Sequence, residues 1–249
     1  RPYVFDRELV EGFVVKRRSQ FTMTVCVNGE EVQCHCPTTG RIGDLDLRNV
    51  ACLVSPSSDP KRRTRYTVEA VSADDPDDPD KRWIGINQVL SNRLVEFFLQ
   101  THQLDDVVAS CDEIHREVTL GASRLDFLIG STYLEVKTPL TAIQVPYGDQ
   151  IRTRPVKPLE STDRFVKHVR ELGGSLAEHE RAVLLMVYQY EVTKPKKRPA
   201  SAHAKEVRAA IVDAIEKGVQ FFEITMRFNP DGVELKTVAE ITDNLDFGG

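Results

Sequence analysis

Residues Arg124–Lys137 read Arg-Leu-Asp-Phe-Leu-Ile-Gly-Ser-Thr-Tyr-Leu-Glu-Val-Lys. Gly130-Ser131 between two strand-like runs suits a two-residue hairpin loop of type II′, whose first central residue takes positive φ. Side chains alternate with period two along a strand, so such a turn sets every pairing beyond it. Ile129 then faces Thr132, Phe127 faces Leu134 and Leu125 faces Val136, all on one almost wholly apolar face. The opposite face pairs Leu128 with Tyr133, Asp126 with Glu135 and Arg124 with Lys137.

This register sets two carboxylates directly across from each other, with a lysine two residues further on. Facing Cβ atoms on a sheet lie about 4.5–5.5 Å apart, and like charges there repel. A shared proton or a bound cation relieves the repulsion. Hard divalent ions such as Mg²⁺ favour carboxylate oxygens together with water and phosphate oxygens. A neighbouring lysine orients water or stabilises developing phosphate charge. The competing reading is an ordinary solvent-facing hairpin surface, because Glu-x-Lys is a common spacing.

The remaining chain is read around this hairpin. With 249 residues it is long enough for one large domain or two ordinary ones, and 41% hydrophobic with 29% charged residues describes a soluble globular protein. No run approaches the ~18 apolar residues of a membrane span, so no membrane partner is expected. A net charge of −5 argues against an indiscriminately basic nucleic-acid binder but leaves room for local basic patches. The odd count of 5 cysteines does not form a disulfide framework, and a reducing, intracellular compartment is expected.

The first eighty residues carry several short strands and no long helix, which suggests a small barrel, an OB-type barrel being one candidate. Leu9 to Arg18 reads as a strand. Phe21–Val27 and Glu30–Cys36 form a hairpin about Asn28-Gly29, the favoured type I′ turn. Its register gathers Phe21, Met23, Val25, Val27, Val32, Cys34 and Cys36 on the apolar face. Cys34-His35-Cys36 is therefore expected to divide between core and surface rather than to bind metal. Val50–Val54 and Thr67–Val71 are further strands. Between them Lys61, Arg62, Arg63 and Arg65 precede Tyr66, a pattern able to grip a phosphate backbone while a base stacks on the ring; a solvated basic turn is the plain alternative. The acidic, proline-rich Ala73–Lys81 is expected to be a flexible excursion.

After Trp83 the character changes. Gln88–Gln100 has helical spacing, with Val89, Leu90, Leu94, Phe97 and Phe98 on one broad face, Asn87 as N-cap and Glu96 near the core edge. A strand over His115–Leu120 leads into the central hairpin. Pro139–Ser161 is irregular. A helix from Thr162 to Leu172, an apolar strand Arg181–Tyr190, a helix His203–Lys217 ended by Gly218, and a strand Val219–Phe228 follow, with a tail of weak character. Lys194-Pro195-Lys196-Lys197-Arg198-Pro199 is a second phosphate-binding candidate, or simply a solvated loop.

An Asp, a hairpin-length gap and Glu-x-Lys, within a helix–strand–strand–strand–helix–strand order, resembles the PD-(D/E)xK nuclease superfamily. Further stretches narrow the likeness: Cys36-Pro37-Thr38-Thr39-Gly40-Arg41, Ser55-Pro56 with Asp59–Thr67, Asn92-Arg93-Leu94-Val95-Glu96, Arg124–Leu128 and Tyr133–Lys137. Together they are similar to the sugar fermentation stimulation protein (SfsA) family over nearly the whole chain. The resemblance implies a mixed architecture: an N-terminal OB-like β-barrel, residues 1–82, and a C-terminal α/β nuclease-like domain with a PD-(D/E)xK core, residues 83–249. It implies DNA binding and a link to the regulation of sugar (maltose) metabolism. By motif, Asp126, Glu135 and Lys137 carry over as the catalytic core, with Asp126, Glu135 and Glu96 as ligands of Mg²⁺ or Mn²⁺.

The expected function is metal-dependent phosphodiester hydrolysis on nucleic acid, DNA before RNA. A DNA-binding regulator on a nuclease-like scaffold is the alternative, and a protein-interaction module the third. Three departures from the family pattern bear on this choice. Thr38 stands where the family has Asn, Asp75–Asp80 is an insertion, and Val166 stands where the family's Arg-Gly-Gln-Lys-His has its glutamine. Val166 cannot hydrogen-bond to water or phosphate as that glutamine would.

Overall fold

The computed structural model describes residues 1–38, 40–109, 113–158, 161–197 and 201–245. A two-residue strand β1 (Tyr3–Val4) is followed by β2 (Val10–Arg17), β3 (Thr22–Val27) and β4 (Glu30–His35). Asn28 and Gly29 both take positive φ, 50° and 78°, so β3 and β4 meet in the type I′ geometry that this dipeptide favours. β5 (Ala51–Pro56), β6 (Tyr66–Val71) and β7 (Ile84–Gly85) complete a sheet of order β4-β3-β2-β5-β6-β7. A parallel pairing of Cys34 and His35 with Tyr66 and Thr67 joins β4 to β6 and closes the barrel, as the OB-like reading requires.

Met23, Val25, Val27, Val32, Cys34 and Cys36 fill the barrel interior as expected. Phe21 does not: it lies before the strand begins and is 52% exposed. Burial pushes the Cys34 thiol up to about 12, with Cys36 adding to the shift. Cys34 and Cys36 thus pack as core while half-buried His35 points elsewhere. Thr39 lies outside the described residues.

The second unit is a seven-stranded sheet of order β1-β13-β12-β11-β10-β9-β8. Its elements are α1 (Gln88–Gln100), β8 (Ile114–Leu120), β9 (Ser123–Ile129), β10 (Thr132–Lys137), α2 (Asp163–Ser175), β11 (Arg181–Tyr188), α3 (Ala204–Lys217), β12 (Gln220–Phe228) and β13 (Gly232–Glu240). β10, β11 and β12 run parallel, joined by the α2 and α3 crossovers. The apolar run of β11 is central, and its residues divide between two cores. Val183, Leu185 and Val187 pack beneath α1, while Ala182, Leu184 and Met186 pack beneath α2 and α3.

Several expectations are corrected. The tail after β12 forms the nine-residue strand β13, because Val233, Leu235 and Val238 pack against the α1-side core. Tyr3 and Val4, assigned with residues 1–82, pair with Val233 and Gly232 and so extend the other sheet. Val89 is 64% exposed, outside the apolar face of α1. The segment Ala73–Lys81 is pinned rather than flexible, because its charges find partners. Asp74 takes Arg82 at two points, 2.7 and 3.2 Å. Asp75 and Asp77 accept from the backbone and side chain of Gln150. Lys81 donates to the carbonyls of Pro76 and Asp78. Hydrogen bonding holds this acidic loop where hydrophobic burial could not.

The barrel and the α/β unit share one continuous core, running from Val14 and Met23 through Ile84, Ile143 and Tyr190 to Leu184 and Phe221. A polar seam accompanies it. Thr38 Oγ1 donates to the Ile86 carbonyl, Glu69 accepts from Ser55 and Asn87, and buried Gln189 donates to the Asn87 carbonyl and to Ser91. Gly85 sits where an added Cβ would run into the Gln189 side chain and the Phe228 ring, so the close approach there requires glycine.

Candidate active site

Gly130 takes φ of 57° at the first central position of the β9–β10 turn, and the expected register follows: Ile129 opposite Thr132, Leu128 opposite Tyr133, Phe127 opposite Leu134. There the ladder stops. One step further, where Asp126 and Glu135 come opposite each other, side chains replace the backbone partners. Glu135 Oε2 accepts from the Asp126 amide at 3.2 Å, and Asp126 Oδ2 accepts from the Val136 amide at 2.8 Å. On the other edge of β9 the register with β8 runs unbroken except at Glu117 opposite Asp126, and Glu117 has a φ of 53°.

The alternation of side chains slips at this point. Phe127 and Ile129 face the α1-side core, but Leu125 joins the α2-side core, so the single apolar face expected for the hairpin ends at Asp126. β10 stays regular, since Glu135, Val136 and Lys137 remain paired with Leu184, Leu185 and Met186. The site is thus an interrupted strand beside a rigid one. Such interruptions re-aim a side chain without unfolding the sheet.

Asp126 reaches toward α1, where Asn92 Nδ2 donates to its Oδ1 at 2.8 Å. Glu135 reaches toward α2. Its Oε1 lies 3.1 Å from Lys137 Nζ and 2.8 Å from His168 Nδ1, and Lys137 Nζ lies 2.9 Å from that same nitrogen. These three groups form a closed triangle beneath α2, in which the Glu135 and His168 side chains are only 4% and 6% exposed. The carboxylates respond in opposite directions. Burial, reinforced by the Glu135 charge, pushes the Asp126 carboxyl above the usual range despite the Val136 and Asn92 hydrogen bonds. Burial also pushes Glu135 upward, but the His168 hydrogen bond and the Lys137 charge outweigh it and hold Glu135 below the usual range.

Asp126, Glu135 and Lys137 therefore come together as expected, and the solvent-facing hairpin surface is set aside. Glu96 is not gathered with them. It lies one helical turn beyond Asn92 and pairs with Arg116 at 3.1 Å. Among the described residues no cluster of three or more His, Cys, Asp or Glu forms a metal-holding group. Val166 is buried in the core under α2.

The basic turn lies in the β5–β6 connection, with Lys61, Arg62, Arg63 and Arg65 exposed. Arg65 pairs with Glu30 at 3.6 Å. Tyr66 is half-buried and packs against the barrel core at the start of β6. In the second basic loop, the amides of Thr193 and Lys194 donate to the Gln144 carbonyl, and Lys196 Nζ sits 3.7 Å over the Tyr147 ring. Arg198 and Pro199 lie outside the described residues.

Comparison with known proteins bears on the whole chain. Residues 89–232 match the family model described as the sugar fermentation stimulation protein RE domain. Residues 15–86 match the SfsA N-terminal OB domain. The chain belongs to the sugar fermentation stimulation protein family. The Pseudoalteromonas atlantica homolog is 31% identical over 93% of this chain and 96% of its own. A Synechococcus sp. homolog is 29% identical over 96% of each. The structure of Pyrococcus furiosus SfsA in complex with Ca²⁺ superimposes with a TM-score of 0.72, at 16% identity, over 94% of this chain and 96% of that one. Within the SfsA family motifs, Asn92 and His168 are the two site residues to which sequence reasoning gave no role. Asn92 stands inside a stretch that carries the resemblance and His168 inside one that departs from it, and their carboxylate partners lie 34 and 33 residues away in the chain.

Proposed function

We propose that this protein is a metal-dependent phosphodiesterase acting on nucleic acid, DNA in preference to RNA, through a PD-(D/E)xK-type site. The observation that carries this reading is half-buried Asp126 beside buried Glu135, the two carboxyls driven in opposite directions next to Lys137. The donor set suits a hard cation. Asp126 Oδ1 and Oδ2 have one hydrogen bond apiece, from Asn92 and Val136, leaving acceptor capacity. A divalent ion would also relieve the facing charges. That the P. furiosus relative was solved in complex with Ca²⁺, an oxygen-seeking ion, supports the fit.

Asp126 and Glu135 would hold Mg²⁺ or Mn²⁺, which when bound supplies charge stabilisation at the scissile phosphate and lowers the pKa of water. Asn92 and the Val136 amide fix the Asp126 carboxylate. His168 keeps Glu135 ionised. Lys137, 21% exposed at the open end of the triangle, orients water or meets developing phosphate charge. An intracellular, reducing compartment suits the four described cysteines, which are unpaired thiols.

The deciding assay incubates single- and double-stranded DNA and RNA with wild type and Asp126→Ala in Mg²⁺, Mn²⁺ or EDTA. Cleavage is expected with metal and wild type alone, and equal activity in Asp126→Ala would sink the reading. A second reading, a DNA-binding regulator without turnover, is favoured by two observations. Glu96 is engaged by Arg116, and Val166, in place of the family's glutamine, is packed in the core. It predicts salt-dependent DNA binding that survives Asp126→Ala and Glu135→Ala, with no cleavage products.

A further inference from the structure

Between the barrel and the α/β unit lies a cleft of about 610 Å³ that the hairpin site does not use. Three separate segments send guanidinium groups to it: Arg7 from the stretch after β1, Arg62 from the β5–β6 turn and Arg93 from α1. All three side chains are exposed. His35 lines the cleft beside Arg62, whose charge adds to burial in lowering its pKa. Glu69 lies at the same lining, buried and hydrogen-bonded by Ser55 and Asn87. Burial holds its carboxyl above the usual range, though Arg93 and Arg62 pull it down. Val89, the large apolar side chain that α1 leaves 64% exposed, also belongs to this wall.

We infer that this cleft is a binding site for a single-stranded phosphodiester segment, with Arg7, Arg62 and Arg93 on its phosphates and Val89 against a sugar or base. The inference rests on the nucleic-acid reading above and deepens it. It moves the grip from the exposed turn alone to a built cleft, and it names the strand form. Guanidinium is suited to phosphate because its planar fork of donors matches the oxygens. The volume is that of a drug-sized ligand, roughly one or two nucleotides of a strand. Arg93 and Asn92 are neighbours on α1, about 100° apart around the helix. One faces the cleft and the other holds Asp126. A strand leaving the cleft along this half of α1 is carried toward the carboxylates.

The test is fluorescence anisotropy, in EDTA, of a labelled single-stranded DNA of about 12 nucleotides. Wild type, Arg7→Ala/Arg93→Ala and Arg93→Lys are compared across salt concentrations, with unlabelled duplex and pyrophosphate as competitors. The double variant is expected to bind about tenfold or more weakly. Its salt slope should fall by about 1.4, since each single-strand phosphate contact contributes about 0.7. Arg93→Lys should keep more affinity than the double variant, and duplex should compete poorly. Unchanged affinity and slope in a folded double variant would overturn the cleft while leaving the nucleic-acid reading standing. So would a duplex that competes as well as the strand. Wild type that captures pyrophosphate but no nucleic acid would overturn both.

Discussion

Asp126 and Glu135 share one desolvated site, yet His168 and Lys137 contact only Glu135, and Lys137 reaches Asp126 through its charge alone. The Asp126 carboxyl is raised in the folded chain, so its ionised form works against folding at neutral pH. That cost is absent below its unfolded pKa and grows as pH rises through the folded value. Asp126→Asn removes this charge but keeps only one of the two hydrogen bonds that the carboxylate accepts, so it is expected to flatten the pH dependence of metal-free stability above the unfolded carboxylate range, while abolishing turnover. Added Mg²⁺ should raise the Tm of wild type and leave that of Asp126→Asn nearly unmoved, as ligand linkage requires; differential scanning calorimetry reads both effects. Glu135 has the opposite sign. Its lowered carboxyl contributes stability above its unfolded pKa, lost as pH falls through the folded value. His168→Ala removes the hydrogen bond that overcomes burial, so the acid limb of the pH–rate profile should move to higher pH. Metal affinity should fall about 10–100-fold, as when partners of metal ligands are lost. A profile with its acid limb in place would show that His168 serves packing alone.

Among the elements, α1 does most to join the parts of the site. Asn87 caps it, accepting from the Val89 and Leu90 amides, and the same side chain donates to buried Glu69. Asn87→Ala removes a cap and strips a partner from a buried carboxyl, so urea denaturation should register a loss of about 2 kcal/mol or more. A loss of only a few tenths would mean that water replaces both contacts. In the β9–β10 hairpin, Gly130 holds a positive φ that costs other L-residues about 1–2 kcal/mol. Gly130→Ala should destabilise by that amount and reduce activity only through stability. The turn, the register of its first pairs and the parallel crossovers were legible because each follows from a local pattern. The slip at Asp126 was not legible, since it depends on the left-handed Glu117 of the neighbouring strand and on side chains taking over backbone partners.

At the scale of the molecule, barrel and α/β unit are two folds by chain order but one by packing. The core running from Val14 to Phe221 crosses between them, and the seam around Glu69, Asn87 and Gln189 is hydrogen-bonded. Calorimetry should accordingly give one cooperative unfolding transition, with calorimetric and van't Hoff enthalpies in agreement. Two resolved transitions would show that the shared core couples the units less than its continuity implies.

Periodicity, turn chemistry and motif order were enough, from residues alone, to suggest the barrel and to mark the order of elements from α1 to β12 and the convergence of Asp126, Glu135 and Lys137. These rest on contacts within a hairpin or a single helix face, where neighbours in sequence are neighbours in space. Tertiary structure alone decided that Asn92 and His168 complete the site, that Arg116 takes Glu96, and that β1 crosses to pair with β13. It also decided that the acidic loop is held by Gln150 and Arg82. Each of these is set by how separate segments pack, and nothing local in the sequence encodes that proximity.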